Sequence, residues 1–199
     1  MTLASRRPSA SLAPVEQALI FASIIVGVAV SDQIVSLNRL LRADAPVRWH
    51  WALPLTALLI LLTNVQIWWS LAGDLAPKVS IGEFLPTLVQ LILVALLSAA
   101  CLPDEVEEDG IDLKQYYDRH ARYIWTLFAL ALLWAELVAF VGALNHDQSL
   151  TDLLANRSID FVAIGVMVML AFGRRRWLVA LGIAFLFLGP IGWLSRTIQ

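Results

Sequence analysis

One carboxylate and three amides of this sequence lie deep inside long apolar segments, where such side chains are rare. They are Glu136, Asn64, Gln66 and Gln90. A charged residue at the centre of a membrane helix costs about 2.5 to 3.5 kcal/mol on insertion scales, so it normally faces a protein interior or a water-filled cavity. The chemistry that these side chains offer is the binding of a proton, a cation or water, with Glu136 as the ionisable group.

The helical rise places these four side chains at one depth. At about 1.5 Å per residue, Asn64 and Gln66 lie roughly 20 and 22 Å from one membrane boundary and Glu136 roughly 21 Å from it, while Gln90 reaches a similar level from the other side. We expect Glu136 to be protonated, because desolvation disfavours the charged form and no basic residue is predicted at its level. The alternative is that the amides only hold helices together, at about 0.6 to 2 kcal/mol each.

A second polar group lies near the end of the first apolar segment. It consists of Asp32, Gln33 and Arg39. Asp32 is expected either to pair with a nearby arginine or to guard the mouth of a pathway. An acidic loop, residues 103–121, has five carboxylates in positions 104–109 and is interpreted as a solvated segment that neutralises neighbouring arginines, or as a docking surface.

Three tryptophans accompany the deep amides and the carboxylate. Trp68 and Trp69 are expected in the belt of aromatic residues at a membrane boundary. Trp134 is deeper, and either lines a cavity or packs between helices.

The elements that position these residues are membrane helices. Of the 199 residues, 59% are hydrophobic and only 15% are charged, which is typical of a chain whose main solvent is lipid. A bilayer core requires about 20 apolar residues per helix, so this length allows about six crossings and leaves no room for a soluble catalytic domain. We therefore predict an all-α bundle that forms a single membrane domain behind a polar N-terminal tail, residues 1–16. The six predicted spans are 17–41, 51–72, 84–102, 122–144, 159–172 and 177–194.

Two of these segments have a second possible interpretation from their sequence pattern. The first resembles a signal peptide up to Ser31, but its apolar pattern resumes after Asp32, and we interpret it as a retained helix. The fifth has a short apolar part and either extends outward through Leu153 to Asp160 or only partly spans the membrane.

The distribution of basic residues predicts the orientation of the chain. With both termini outside a plasma (inner) membrane, the inner loops contain nine of the 14 lysines and arginines. Arg48, Arg122 and Arg174 each precede a tryptophan by three residues at the start of an even-numbered helix. We interpret this pattern as an inner belt of arginine and tryptophan, with a threefold repeat of helical hairpins as the alternative.

Small residues four apart predict which helix faces are buried, because they allow backbones to approach closely. These stripes are Ser23, Gly27 and Ser31 on the first helix and Ala131, Ala135, Ala139 and Ala143 on the fourth. They are expected to meet either within one chain or between protomers. Gly189 and Pro190 are expected to kink or end the sixth helix, because proline lacks a backbone donor.

Several kinds of chemistry find no support in this sequence. The net charge of -2 argues against a nucleic-acid partner, and the single Cys101 excludes a thiolate metal cluster. There is no pair of histidines in opposing segments for haem, no lysine inside a span and no catalytic motif. We expect no cofactor and no metal, and an enzyme, built for example on His146, Asp152 and Asp160, is the less favoured class.

Two functions remain open at this stage. The favoured one is a pathway for a small solute or ion, channel-like or transporter-like, formed in the lipid bilayer by a homo-oligomer. The alternative is an accessory or assembly subunit of a larger membrane complex, in which the polar groups are structural. The sequence identifies no substrate.

Overall fold

The computed structural model describes residues 14–74, 81–145, 157–173 and 175–194, and within them the chain is an all-α bundle, as predicted. Residues 1–13 of the predicted polar tail, together with His146 and Asp152, lie outside the described residues. The helices are α1 (Pro14–Leu41), α2 (Ala52–Asp74), α3 (Ile81–Ala100), α4 (Leu113–Asn145), α5 (Ser158–Phe172) and α6 (Arg176–Leu194). Two short strands, β1 (Val47–Arg48) and β2 (Ile111–Asp112), pair in parallel.

Five of the six described helices, all except α5, are long and apolar enough to cross a membrane. The chain is therefore a multi-pass integral membrane protein. With 15 residues, α5 measures only about 22 Å, which is shorter than a bilayer core of about 30 Å. Because of this short length, the sequence pattern of the fifth segment fits either a full span or a partial one.

Helix α5 lies antiparallel along α4, and contacts at both of its ends fix the alignment. At one end the Arg122 guanidinium lies 4.9 Å from the centre of the Phe172 ring. At the other end Arg157, the residue before α5, forms a salt bridge with Glu136. The two contacts are about 21 Å apart along α4 and about 22 Å apart along α5, so the helices run side by side over this length.

Residues 42–51 and 101–112, together with Gly173 and Arg175 between α5 and α6, lie at one end of the bundle, which we call the loop face. Ile111 N–H donates to the carbonyl of Pro46 over 3.1 Å, and this bond ties the first two segments together. Since α1 begins and α6 ends at the opposite end, both described termini lie on the same side of the bundle. Which side faces the cell interior stays a prediction.

The strand pair depends on a glycine with a left-handed backbone. Gly110 has φ of 92°, a conformation that side chains other than glycine rarely adopt, and a Cβ at this position would collide with the carbonyl of Pro46. Glycine therefore allows the acidic loop to approach the connection between α1 and α2.

Helix α4 starts nine residues before the predicted span at 122. Leu113 and Tyr117, one turn apart, are both buried, so the polar first turns also have an inward face. Asp112 Oδ1 accepts hydrogen bonds from the backbone N–H groups of Lys114 and Gln115, which caps the helix. These bonds, above all the one from Gln115, lower the pKa of the Asp112 carboxyl. A search for apolar runs alone does not detect such a segment.

Burial contradicts part of the proposed belt of tryptophans. Trp51 and Trp177 are exposed, but Trp125 is fully buried and donates from Nε1 to the Tyr117 hydroxyl over 2.9 Å. Because α4 begins at Leu113, Trp125 lies three turns inside the helix and belongs to the core.

The predicted small-residue stripe of α1 is not buried within the chain, and its burial between two protomers stays a prediction. Ser23, Gly27 and Ser31 are exposed, and the buried side of α1 instead carries Ala22 and Val26, among other residues. These two pack with Leu91 of α3, so the apolar residues beside the stripe determine the contact.

The alanines of α4 are placed as expected. Ala131 and Ala143 are buried, and Ala135 and Ala139 are half-buried. In α6 the helix continues through Pro190 to Leu194, so the proline does not end it.

Candidate functional site

The helices α1, α2 and α3 carry three amide side chains with a buried oxygen, Gln33, Asn64 and Gln90, which we call the amide row. In each of them the side-chain oxygen is buried and has no hydrogen-bond partner in the described part of the chain. In lipid, an unpartnered buried acceptor is costly, because no bulk water is present to satisfy it. The amide row is therefore the candidate functional site.

Gln33 is the member of the row nearest to the loop face. Its Nε2 donates to the carbonyl of Ala57 on α2 over 3.3 Å and to Sγ of Cys101 over 3.1 Å. These bonds orient the amide between α1, α2 and the end of α3. They leave Oε1 as an acceptor without a partner.

Asn64 is the central member and is fully buried. Its Nδ2 donates to Oγ of Ser98 on α3 over 2.8 Å and to the carbonyl of Ile60 over 3.0 Å. Ser98 in turn donates to the carbonyl of Val94, so its hydroxyl proton is already used. Asn64 Oδ1 consequently points into the bundle as a fixed acceptor.

Gln90 lies further along α3. Its side chain is half-buried, with Oε1 inaccessible and unpartnered. Gln66 is also half-buried, but it follows Asn64 by two residues and is rotated about 200° around α2, so it faces away from Asn64. The predicted group thus separates, and Gln66 does not belong to the row.

Direct contacts also place the polar groups at different depths. Asn64 meets Ser98, and Gln90 lies eight residues, or about 12 Å, further from the loop face along α3. Trp134 Nε1 donates to the carbonyl of Pro86, about 6 Å beyond Gln90, and Glu136 follows Trp134 by about 3 Å. A common depth requires that all helices begin at the same level. The contacts instead show that the helices are shifted relative to one another along the bundle.

Glu136 has a basic partner, in contrast to the expectation from the sequence. Its Oε1 lies 2.9 Å from Nη1 of Arg157, with the Glu136 side chain 7% exposed and the Arg157 side chain 39% exposed. The prediction that no basic residue lies at the level of Glu136 is therefore wrong. The antiparallel alignment of α4 and α5 brings Arg157 to this position.

The residues of the polar group predicted near the loop face do not bind one another but have different partners. Arg39 donates to the backbone carbonyl of Asp104 over 2.8 Å, and Ser36 donates to Oδ1 of Asp104 over 3.4 Å. Asp32 is half-buried and forms no salt bridge within the described ranges. The acidic loop is thus attached to the end of α1 through Asp104.

The two belt tryptophans lie exposed near the end of α2 that is remote from the loop face. Trp68 Nε1 donates to Oγ of Ser23 over 3.1 Å. Trp69 contacts the ring of Trp193, with centroids 6.4 Å apart. Trp134, which is partly buried, packs between α4 and α3 through its bond to Pro86.

The loop face also contains a cavity of about 560 Å³, which the sequence reasoning did not identify. Its charged and ionisable lining residues are His50, Lys114, Asp118, Arg119, Arg122 and Arg176. The Lys114 ammonium lies 2.6 Å from the Asp118 carboxylate. The sequence signal for this cavity is the set of basic residues near the starts of three helices, which also predicts the orientation of the chain.

His50 in this cavity has an unusual environment. Its Nδ1 is buried without a hydrogen-bond partner in the described residues, and its ring lies 6.1 Å from that of Tyr117. Partial burial lowers the pKa of His50 below its ordinary value of 6.5, against the attraction of Asp118. Across the described ranges, no group of three histidine, cysteine, aspartate or glutamate side chains could hold a metal ion.

Comparison with protein-family models, with curated proteins and with solved structures gave no match.

Proposed function

We propose that this multi-pass membrane protein forms a pathway for a small solute or ion, with the amide row as its binding path. The supporting observation is the three buried, unpartnered oxygens on three adjacent helices. A buried acceptor without a donor costs about 1 to 3 kcal/mol, and three such groups are a substantial fraction of the stability of a small protein. A partner from outside the chain removes this cost.

The type of free atom restricts the chemistry of that partner. All three are carbonyl-type oxygens, which accept hydrogen bonds and coordinate hard cations but donate nothing. The species that fit are water, a cation, or a small solute with hydroxyl or N–H groups. The three free oxygens themselves do not bind an anion.

The stagger of the row suits successive binding steps. Gln33 lies at the level of Cys101 near the loop face, Asn64 at the level of Ser98, and Gln90 about 12 Å beyond Ser98. Several weak sites in series favour conduction, because a ligand leaves each of them readily. Glu136 enters this proposal as the partner of Arg157 rather than as a ligand of the transported species.

The test is flux through the purified protein in liposomes, with K⁺, Na⁺ and H⁺ gradients as probes. Replacement of Gln90 by leucine removes the free oxygen without breaking a hydrogen bond that the structure records. We expect Gln90→Leu and Asn64→Leu each to lower flux at least about tenfold, a change equivalent to about 1.4 kcal/mol in the barrier.

Gln66→Leu is the matched control, because it removes the same amide from the other side of α2. It should leave flux within about twofold. Unchanged flux in Gln90→Leu and Asn64→Leu, combined with a higher unfolding temperature, would show that the oxygens only destabilise the bundle.

A second possible function is that of an accessory subunit in a larger complex. It is supported by polar side chains that bind one another between neighbouring helices. Glu136 with Arg157 and Asn64 with Ser98 act as interhelical bonds. The carboxylates of the acidic loop are exposed, which suits a docking surface. These residues are Asp104, Glu105, Glu107, Glu108 and Asp109.

Purification in mild detergent tests this second function. A stoichiometric partner should accompany the native chain and be lost when Glu105, Glu107 and Glu108 are replaced by glutamine. A single homo-oligomer that is unaffected by these substitutions would contradict the accessory role and agree with the pathway.

A further inference from the structure

We propose that the loop-face cavity binds a phosphate group, supplied by the headgroup of an anionic phospholipid or by a soluble phosphate. Four basic residues line the cavity against a single acidic residue, Asp118. Lys114 already pairs with Asp118, so the excess positive charge comes from the other three, Arg119, Arg122 and Arg176.

The three arginines are available to an anion. In the described part of the chain none of them forms a salt bridge. Arg122 stacks on the Phe172 ring, which holds its planar guanidinium at the cavity wall while its N–H groups keep their hydrogen-bonding capacity. A guanidinium binds a phosphate through two parallel hydrogen bonds, which makes arginine the suitable residue at such a site.

Backbone geometry adds to the positive potential. Lys114 and Gln115 in the first turn of α4, Arg176 at the start of α6, and Trp51 just before α2 all line the cavity. The N-terminal end of a helix carries a partial positive charge, so three helices point this charge at the same cavity. Only α5 ends there with the opposite polarity.

An unpartnered histidine supplies a further hydrogen-bonding group. His50 lines the cavity, and its Nδ1 is buried without a partner among the described residues. A protonated phosphate oxygen can donate to this nitrogen, or the imidazolium form can donate to a phosphate oxygen. The charge cluster and the histidine together therefore point to the same ligand chemistry.

The rim of the cavity favours the lipid as the source. Phe172 and Trp51 line the cavity and are also exposed at the bundle surface, so an acyl chain can lie beside them when its headgroup occupies the cavity. Basic cavities between membrane helices are typical binding sites for acidic headgroups. A volume of about 560 Å³ accommodates a phosphate with its glycerol.

Lipid retention by the full-length protein tests the site. The protein is placed in nanodiscs of phosphatidylcholine with 10% phosphatidic acid, used as the probe, and bound lipid is counted by native mass spectrometry. We expect one tightly retained phosphatidic acid per chain. In Arg122→Gln/Arg176→Gln its affinity should fall roughly 10- to 30-fold, since each basic contact at a membrane surface contributes about one factor of five.

Arg42→Gln is the matched control, because it removes a charge from the same face but lines a different cavity. It should retain phosphatidic acid within about twofold. Arg122→Lys/Arg176→Lys keeps the charge and loses the paired hydrogen bonds, so an intermediate affinity is expected from a folded protein. Equal losses in Arg42→Gln and in the double glutamine variant would overturn the proposal, because they would indicate general surface charge.

Inorganic phosphate in pure phosphatidylcholine nanodiscs distinguishes the two sources. An arginine-dependent increase in unfolding temperature with millimolar phosphate supports a soluble phosphate ligand, whereas an effect of phosphatidic acid alone supports the headgroup. If neither probe binds in an arginine-dependent manner, the proposal is wrong.

Discussion

The ion pair between Glu136 and Arg157 joins α4 and α5 at the end of α5 that is remote from the loop face. Breaking a buried ion pair on one side leaves an uncompensated charge, which costs more than the pair contributes when intact. Glu136 is the buried partner and Arg157 the half-exposed one, so the two substitutions are not equivalent. Loss of Arg157 leaves the Glu136 carboxylate without its salt-bridge partner in a site with little access to water.

Arg157→Gln is therefore expected to lower the free energy of unfolding by about 1 to 3 kcal/mol, less than the 3 to 5 kcal/mol of a fully buried pair because Arg157 is 39% exposed. Thermal unfolding in detergent measures the change. Arg175→Gln, at an exposed arginine outside the pair, should have almost no effect. The double variant Glu136→Gln/Arg157→Gln should recover part of the loss, and no recovery would contradict an interaction between these two residues.

His50 makes the stability of the loop face depend on pH. Because its pKa in the folded state lies below the ordinary value of 6.5, the folded protein binds fewer protons at this site than the unfolded chain. The stabilisation is fully present above about pH 6.5 and is lost as the pH falls towards the folded-state pKa. Lys114 and Arg176 also lower the pKa, while Asp118 and Asp112 raise it.

We expect the unfolding temperature of the native protein to fall between pH 7.5 and 5.5 and that of His50→Gln to change less. Phosphatidic acid should oppose the decrease in the native protein, because an anion in the cavity stabilises the imidazolium. The pH dependence of both proteins, with and without this lipid, is measured by thermal unfolding. Identical pH profiles for the native protein and His50→Gln would remove His50 from this effect.

At the scale of the helices, long apolar runs predicted which elements exist, and contacts between elements determined the rest. The apolar run from 122 located α4 but not its first nine residues, whose inward face consists of Leu113 and Tyr117 within a polar segment. The stripe of Ser23, Gly27 and Ser31 has the right spacing for close packing, yet α1 packs through the apolar side with Ala22 and Val26. Spacing along one helix does not specify which of its faces meets a neighbour.

A substitution at Gly110 tests how much the contact between the acidic loop and the connection with β1 contributes to stability. Gly110→Ala should lower the free energy of unfolding by about 1 to 3 kcal/mol, because alanine at φ of 92° is strained and its Cβ collides with Pro46. Gly27→Ala is the control, since a Cβ there meets nothing within 4 Å and lies in a helix. It should be neutral or slightly stabilising. Equal stability of the two variants in thermal unfolding would contradict a structural role for Gly110.

At the scale of the whole molecule, two kinds of polar group lie in different places. The buried atoms of the amide row without a partner among the described residues are all acceptors, and the loop-face cavity offers mainly donors and positive charge. The sequence predicted that Asn64 and Gln90 lie inside the membrane, because single helices determine depth within several ångströms. It did not predict their stagger, the partner of Glu136 or the cavity, because these depend on how distant helices are aligned.

The orientation of the bundle in the membrane determines from which side the loop-face cavity and the amide row are reached. Nine of the 14 lysines and arginines of the sequence belong to the predicted inner loops, which predicts that the loop face lies in the cytoplasm, next to the anionic lipids of the inner leaflet. Glu108→Cys, in the exposed part of the acidic loop, and Glu83→Cys, near the start of α3, place a thiol at opposite ends of the bundle.

In intact cells a membrane-impermeant maleimide should label Glu83→Cys and should label Glu108→Cys only after permeabilisation. The native Cys101 is fully buried and should contribute little background. The reverse labelling pattern would place the phosphate cavity on the outer surface. A headgroup in the cavity would then have to come from the outer leaflet, and Gln33 rather than Gln90 would be the first member of the amide row reached from outside.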